Sequence, residues 1–184
     1  MKRLTDIVLS LTALAVLSPV LLLATLAVLF ESGFPVFFRQ TRVGLGGREF
    51  GMFKFRSMVK NAASIGPYFT DANDARITRV GQWIRRTSID ELPQIINVLR
   101  GDMSLVGPRP DVPVQKSLYS PEDWARRCSV RPGITGLAQV SGRSDVTFER
   151  RLALDLDYAR QVSWWRDVKI MWQTVFQLRG KHSN

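Results

Sequence analysis

The chain has 184 residues, 45% of them hydrophobic, with a mean hydropathy of −0.04. That is too apolar for a disordered chain and too polar for a multispan membrane protein, and it leaves room for one compact domain plus a membrane element. A formal net charge of +10 favours anionic partners: nucleic acid, phosphorylated small molecules or anionic lipid headgroups.

Residues 4–30 are almost wholly apolar, broken only by Thr5, Asp6, Ser10, Thr12, Ser18 and Thr25. About two dozen helical residues at ~1.5 Å rise would cross a bilayer. The run is too long for a cleaved signal peptide, and no small-x-small site precedes a polar region. A straight spanning anchor and a re-entrant helix remain as alternatives. Ser18-Pro19 in the middle of the run favours a bend, because proline removes a backbone donor and clashes with the preceding turn. Lys2 and Arg3 before the run, with Arg39, Arg42 and Arg48 after it, pull both ends toward the cytoplasm.

Gly33 and Pro35 break the chain after the apolar run. Residues 36–40 are short and aromatic, residues 43–48 read as a turn, and the alternation from Met52 to Arg56 predicts a strand or hairpin arm. Residues 61–75 form a polar loop without periodicity. Its stretch from 64 to 73 is either a substrate lid or a surface excursion. Residues 77–86 are predicted as a short basic amphipathic helix, and residues 90–99 as a second one that ends at the left-handed cap Gly101. A proline-rich loop, Gly107-Pro108-Arg109-Pro110, follows. Residues 121–128 are predicted helical with Ser120 as N-cap. Residues 131–136 form a Gly/Pro loop, and residues 147–160 and 163–179 are two further helices. The last carries Trp164, Trp165 and Trp172 beside Arg166 and Lys169, and either lies in a headgroup layer or buries its tryptophans in a core.

Cys128 is the single cysteine and His182, in the polar tail, the single histidine. That argues against an internal disulfide, a Ser-His or Cys-His nucleophile and a zinc site. The segment Ser88-Ile89-Asp90-Glu91-Leu92-Pro93-Gln94 carries the chemistry instead. Pro93 fits the first turn of a helix, where donors are unpaired, which puts Asp90 at or near the N-cap. In one reading Asp90 is an ordinary cap and Ser88-x-x-Glu91 a capping box. In the other, Asp90 stays ionised at the helix start and attacks phosphorus, holding a phosphosugar as an acyl phosphate. Two anions repel, so that attack needs cations. Mg²⁺ with Glu91 as ligand would supply them, together with arginines drawn from Arg85, Arg86, Arg109, Arg131 and Arg143. Arg109 and Arg131 each adjoin proline, which stiffens the backbone that carries them.

Four segments in this order resemble the bacterial sugar transferase family, the monotopic phosphoglycosyl transferases, over nearly the whole chain. They are Lys54-Phe55-Arg56-Ser57-Met58; Asp90-Glu91-Leu92-Pro93-Gln94 with Asn97-Val98-Leu99; Gly101-Asp102-Met103-Ser104-Leu105-Val106-Gly107-Pro108-Arg109-Pro110; and Arg131-Pro132-Gly133-Ile134-Thr135-Gly136-Leu137-Ala138-Gln139-Val140 with Gly142-Arg143. The resemblance implies a mostly α fold with a small β-hairpin. A re-entrant membrane helix (1–33) would precede one catalytic domain (34–184) with packed amphipathic helices, at the cytoplasmic face of a bacterial inner membrane. It implies a ping-pong reaction in which Asp90 attacks the β-phosphate of a UDP-sugar and UMP leaves. The phosphate of a polyprenyl phosphate then attacks the phosphosugar-enzyme, the first membrane step of glycoconjugate assembly. Glu91 would position Mg²⁺, and Arg109, Arg131, Gln139, Arg143, Arg85, Lys54 and Arg56 would bind phosphate or nucleotide. Anionic membrane lipid, and a second copy of the chain, are the remaining expected partners. The sequence departs from the family pattern at Ile95-Ile96, where many members have a leucine and an aromatic. Larger members also carry a multispan region ahead of the apolar helix, which this sequence does not show.

A membrane-anchored nucleic-acid-binding protein is the alternative from another class. It predicts a basic stripe with stacking aromatics, whereas the aromatics here cluster in the N-terminal third and the last helix, so nucleic acid is not among the expected partners. A scaffold lying on anionic lipid would have no use for the acid pair or for a proline-stiffened Arg109.

Overall fold

The computed structural model describes residues 1–65, 74–142 and 147–180. Arg143, His182 and most of the 64–73 loop lie outside the described residues. The chain is mostly helical and divides into two compact units: Met1–Leu11, Thr41–Gly51 and Ile95–Asn184 form the first, Thr12–Gln40 and Met52–Gln94 the second. The division falls inside the N-terminal helix and inside both arms of a hairpin.

In chain order, α1 spans Lys2–Ser32 as one helix with Pro19 inside it. Ser18 Oγ donates to Ala15 O at 2.8 Å, a local bond that goes with the backbone donor missing at Pro19. The expected hairpin is present: β1 (Phe37–Val43) and β2 (Glu49–Phe55) pair antiparallel around a short 3₁₀ turn at Leu45–Gly47. The single-turn α2 (Ala62–Ile65) opens the polar loop, and α3 (Arg79–Arg86) is the basic helix expected there. A 3₁₀ turn at Ile89–Glu91 leads into α4 (Gln94–Arg100). Next come β3 (Ser104–Val106), a 3₁₀ segment at Pro113–Leu118 and α5 (Pro121–Arg127), capped by Ser120 Oγ on Asp123 N at 3.1 Å as expected. β4 (Gly133–Thr135), α6 (Leu137–Val140), α7 (Phe148–Arg160) and α8 (Trp164–Gly180) complete the chain.

The second unit is built on the C-terminal half of α1. Ala24 and Val28 bury against Val36, Phe55 and Ile84, with Leu21, Leu29, Val80 and Ile89 around them. Burying Val28, Phe55 and Ile84 contributes roughly 1.5–3 kcal/mol each. Glu31, in the last turn of α1, caps α3. Its carboxylate accepts from Arg79 N at 2.9 Å and Val80 N at 3.0 Å, two of the donors a helix start leaves unpaired. Thr78 Oγ1 accepts a third, from Gly81 N at 2.9 Å.

In the first unit β3 and β4 pair in parallel, with Ser104 opposite Gly133 and Val106 opposite Thr135. This corrects the sequence reading of 131–136 as a loop. Val106, Tyr158 of α7 and Ile170 of α8 form the core there. The charged start of α1 is bonded into this unit. Lys2 Nζ donates to Val106 O (3.0 Å), Tyr158 Oη (3.1 Å) and Asp167 Oδ2 (2.5 Å). Arg3 donates to the last carbonyls of α4, Val98 O at 2.6 Å and Leu99 O at 3.0 Å. Asp6 Oδ1 accepts from Ser104 Oγ and Leu105 N, each at 3.1 Å. Lys2 and Arg3, read from sequence as topology-setting charges, therefore have protein partners as well. Gly101 ends α4 with φ +92°, the left-handed cap expected.

The tryptophans of α8 are not core residues. Trp165 and Trp172 are 75% and 65% exposed. Together with Leu9, Val168, Lys169 and Val175 they line an open, overwhelmingly apolar groove.

Candidate active site

Asp90 and Glu91 sit in the 3₁₀ turn of the second unit, four and three residues before α4 begins. The capping-box reading fails here. Ser88 precedes the turn in the left-handed conformation, φ +60° and ψ +16°, and makes no side-chain cap bond. A serine in that region costs of order 1 kcal/mol or more, and such strain clusters at functional positions. Glu91 is engaged elsewhere. Lys54 Nζ, from β2, donates to Glu91 Oε1 at 2.9 Å, and both side chains are mostly buried. Asp90 is buried beside this pair. The hairpin thus delivers a cation to the acid pair across 37 residues of sequence.

The other expected site residues of the second unit lie close along the chain. Arg56 follows β2 and is 6% exposed. Its Nη2 donates to Gly33 O at 2.5 Å, while Nε and Nη1 are buried with no partner among the described residues. Gln94, the first residue of α4, also buries an Nε2 with no described partner. Arg85 is half-buried in the last turn of α3. Its charge joins Arg76 in lowering the Asp74 carboxyl to about 2, mainly through the Arg76 side-chain hydrogen bonds.

The first unit holds Arg109, Arg131 and Gln139. Arg109 stands half-buried in the loop after β3, between Pro108 and Pro110. Arg131 donates Nε to Gly101 O at 2.9 Å, so part of its guanidinium holds the end of α4. Gln139 Nε2 donates to Ile134 O at 3.2 Å, and Oε1 is a buried acceptor without a described partner. These loops meet backbone to backbone. A Cβ on Gly133 would fall 2.1 Å from Gly107 N, and one on Gly107 would fall 2.2 Å from Arg131 O. Only glycine lets the Pro108-Arg109-Pro110 loop and the Arg131 loop approach this closely.

A family model described as bacterial sugar transferase matches residues 1–181. The chain belongs to that family. It is 48% identical over 183 residues to the UDP-glucose:undecaprenyl-phosphate glucose-1-phosphate transferase of Caulobacter vibrioides, covering 95% of this chain and 68% of that protein. It is 46% identical over 185 residues to the protein of the same name from Escherichia coli K12, covering 96% of this chain and 40% of that protein. A Bacillus subtilis relative, the uncharacterized sugar transferase EpsL, is 43% identical over 175 residues and 85% covered. The chain therefore spans well under half the length of the Escherichia coli protein.

In this bacterial sugar transferase no group of three or more His, Cys, Asp and Glu side chains among the described residues could hold a metal by itself. Magnesium rarely needs one. It is usually bound by one or two carboxylates, with substrate phosphates and water completing the octahedron. The adjacent carboxylates of Asp90 and Glu91 fit that chemistry.

Each unit holds one feature that lay beyond the sequence reading. One is the Lys54–Glu91 pair. The other is a buried ion cluster beneath Arg109, in which Arg127 joins Asp111 and Asp155. The sequence signal for it was slight: an aspartate after Pro110, and an arginine at a helix end where any cation is favourable.

Proposed function

We propose that this chain transfers a sugar 1-phosphate from a UDP-sugar to a polyprenyl phosphate at the cytoplasmic face of the bacterial inner membrane, with Asp90 as nucleophile. The observation that carries this reading is the buried Asp90 in a strained turn, next to a Glu91 held by Lys54. Ser88, the residue before the turn, makes no side-chain capping bond, which removes support from the capping-box alternative.

In the proposed reaction an Asp90 carboxylate oxygen attacks the β-phosphorus of the UDP-sugar. The bond from that phosphorus to the bridging oxygen breaks, and UMP leaves with the electron pair. A phosphosugar is then held on Asp90 as an acyl phosphate. A phosphate oxygen of the polyprenyl phosphate attacks the same phosphorus, the aspartyl oxygen leaves, and a polyprenyl diphosphate sugar and free Asp90 result. Lys54 neutralises Glu91, which lowers the repulsion that two neighbouring carboxylates would present to an incoming diphosphate. Arg109, Arg131 and Arg56 bring guanidinium groups suited to phosphate oxygens. When bound, Mg²⁺ would be held by Glu91 and would offset diphosphate charge. The buried Gln139 Oε1 can accept only a donor, so it suits a ligand hydroxyl or N–H rather than a phosphate oxygen.

The membrane part of the proposal rests on α1. Its 31 residues would extend about 46 Å, longer than a ~30 Å hydrocarbon layer. Both of its ends are bonded to polar backbone, Lys2, Arg3 and Asp6 at the start and Glu31 at the finish. Pro19 inside the helix, where a backbone donor is missing, supports a bend and so a helix that enters and leaves one leaflet. The exposed Trp165 and Trp172 beside Lys169 support contact with anionic lipid at the headgroup level.

The test is UMP release from a UDP-sugar panel by the full chain in lipid nanodiscs with Mg²⁺ and undecaprenyl phosphate. The expected result is stoichiometric formation of UMP and a lipid-linked diphosphate sugar. Absence of UMP with every donor, together with salt-steep binding to oligonucleotides, would overturn the proposal in favour of a nucleic-acid-binding role.

A further inference from the structure

The backbone that carries Arg109 is held at every carbonyl. Pro108 O accepts from Gly133 N at 2.9 Å, and Arg109 O from Arg127 Nη2 at 2.6 Å. Pro110 O accepts from Arg42 Nη1 at 2.8 Å, and Asp111 O from Val43 N at 2.8 Å. The two prolines also restrict φ on either side of Arg109. Four consecutive carbonyls bonded in this way leave the loop little freedom. Two of the four bonds come from arginine side chains rather than from a sheet or helix.

Arg127 is the centre of the brace. Its side chain is 4% exposed, that of Asp111 4% and that of Asp155 2%. Its planar fork makes three bonds in three directions: Nε to Asp155 Oδ2 at 2.9 Å, Nη1 to Asp111 Oδ2 at 2.8 Å, and Nη2 to Arg109 O. Asp111 also receives Arg151 Nη2 at 3.2 Å and the Tyr119 hydroxyl at 2.5 Å. Two arginines and two aspartates leave the cluster neutral. Burial alone would lower the Arg127 pKa, but Asp155 and then Asp111 outweigh it and hold the pKa up. A guanidinium fork cannot bend, so the positions of Asp155, Asp111 and the Arg109 carbonyl are fixed relative to one another. Buried ion clusters of this kind are weak devices for stability, since well-packed apolar side chains of equal volume often do as well. What an apolar replacement cannot reproduce is a directed bond to the carbonyl of residue 109.

We propose that Arg127, locked by Asp111 and Asp155, is a positioning residue that presets the backbone of Arg109 for the anionic group Arg109 binds. The inference rests on the reading of Arg109 as a phosphate ligand. It makes the grip of Arg109 dependent on a side chain that never meets the substrate.

A double-mutant cycle tests it. The probe is UMP, titrated calorimetrically into the full chain in lipid nanodiscs, with Arg127→Met and Arg109→Ala separately and together. Arg127→Met is expected to weaken UMP binding about tenfold when Arg109 is present, and less than twofold when it is absent. Equal weakening in both backgrounds would show a merely structural role and overturn the inference, as would no weakening at all. If Arg109→Ala binds UMP as tightly as the unaltered chain, the inference falls together with the placement of Arg109 at the phosphate. If Arg109→Ala weakens binding and Arg127→Met does not, only the inference falls. Should Arg127→Met not fold, Arg127→Lys decides the matter in the same cycle. It keeps a cation between the two aspartates but cannot make three directed bonds, so near-normal melting with weakened UMP binding is expected, and full UMP affinity would refute the brace.

Discussion

Replacing Gly133 with alanine places a methyl group where the structure has no room for one. The added Cβ would lie 2.1 Å from Gly107 N, 2.3 Å from Thr135 O and 2.7 Å from Val106 C. It falls across the Gly107 N–H···O Thr135 bond, 2.9 Å long, which joins the loop after β3 to β4. Relief requires the two backbones to separate by about an ångström, which is overpacking at a cost of about 1–3 kcal/mol. The blocked bond leaves a buried donor and acceptor unpaired, for about 1–3 kcal/mol more. Together the substitution is expected to cost about 2–6 kcal/mol. At about 2–4 °C per kcal/mol for a chain of this size, Tm should fall by roughly 4–24 °C, about 12 °C at mid-range. Gly46→Ala is the control. Its Cβ meets nothing within 4 Å, so only the positive φ of +65° is penalised, by about 1–2 kcal/mol. Intrinsic tryptophan fluorescence during heating, with the protein in lipid nanodiscs, measures both. If Gly133→Ala melts no lower than Gly46→Ala, the close backbone crossing beneath Arg109 and Arg131 is refuted.

The Tyr119 phenol is pushed up to about 12, chiefly by burial, with Arg127 opposing and Asp111 adding to the rise. The folded state holds that proton more tightly than the unfolded chain. The stabilisation is therefore complete below about pH 10 and lost as pH rises through about 12. Ultraviolet phenolate titration should show a step near pH 12 that Tyr119→Phe removes; a step near 10 that Tyr119→Phe removes instead would contradict the buried cluster. Trp165 and Trp172 should be quenched by brominated phospholipids in nanodiscs, and Trp165→Phe with Trp172→Phe should abolish most of that quenching. Unchanged quenching in the double variant would put the lipid contact elsewhere.

Much of this fold is legible in local sequence because local rules decide it. Ser120 and Thr147 cap α5 and α7 as residues of their type do, and Gly101 ends α4 through its positive φ. The hairpin follows from breakers at 44–47 between two aromatic-rich arms. The β3–β4 pair does not follow from such rules. Each strand has three residues, too few for an alternation, and its partner lies about thirty residues away. The start of α4 shows a subtler limit. Proline logic puts Pro93 inside the first helical turn, yet the α-helix begins at Gln94 and the preceding residues take a 3₁₀ turn after a left-handed Ser88. In that turn Glu91 Oε1 accepts from Lys54 Nζ.

The candidate site divides along the same line. Asp90, Glu91 and Arg109 stand out because adjacency and flanking prolines mark them. The Lys54 partner and the Arg127 brace depend on contacts between residues 16 to 37 positions apart, which no periodicity encodes. Lys2 and Arg3 carry the opposite lesson. Charges flanking an apolar run suggest topology, while here Asp167 and the carbonyls of α4 also bind them.

The central claim concerns a covalent bond to one side chain, and intact mass spectrometry reads it directly. The full chain, mixed with a panel of UDP-sugars and Mg²⁺ but without lipid acceptor, should gain the mass of one phosphosugar with its matching donor. Asp90→Asn should gain none. An Asp90→Asn protein labelled as fully as the unaltered chain would contradict the assignment of Asp90 as nucleophile.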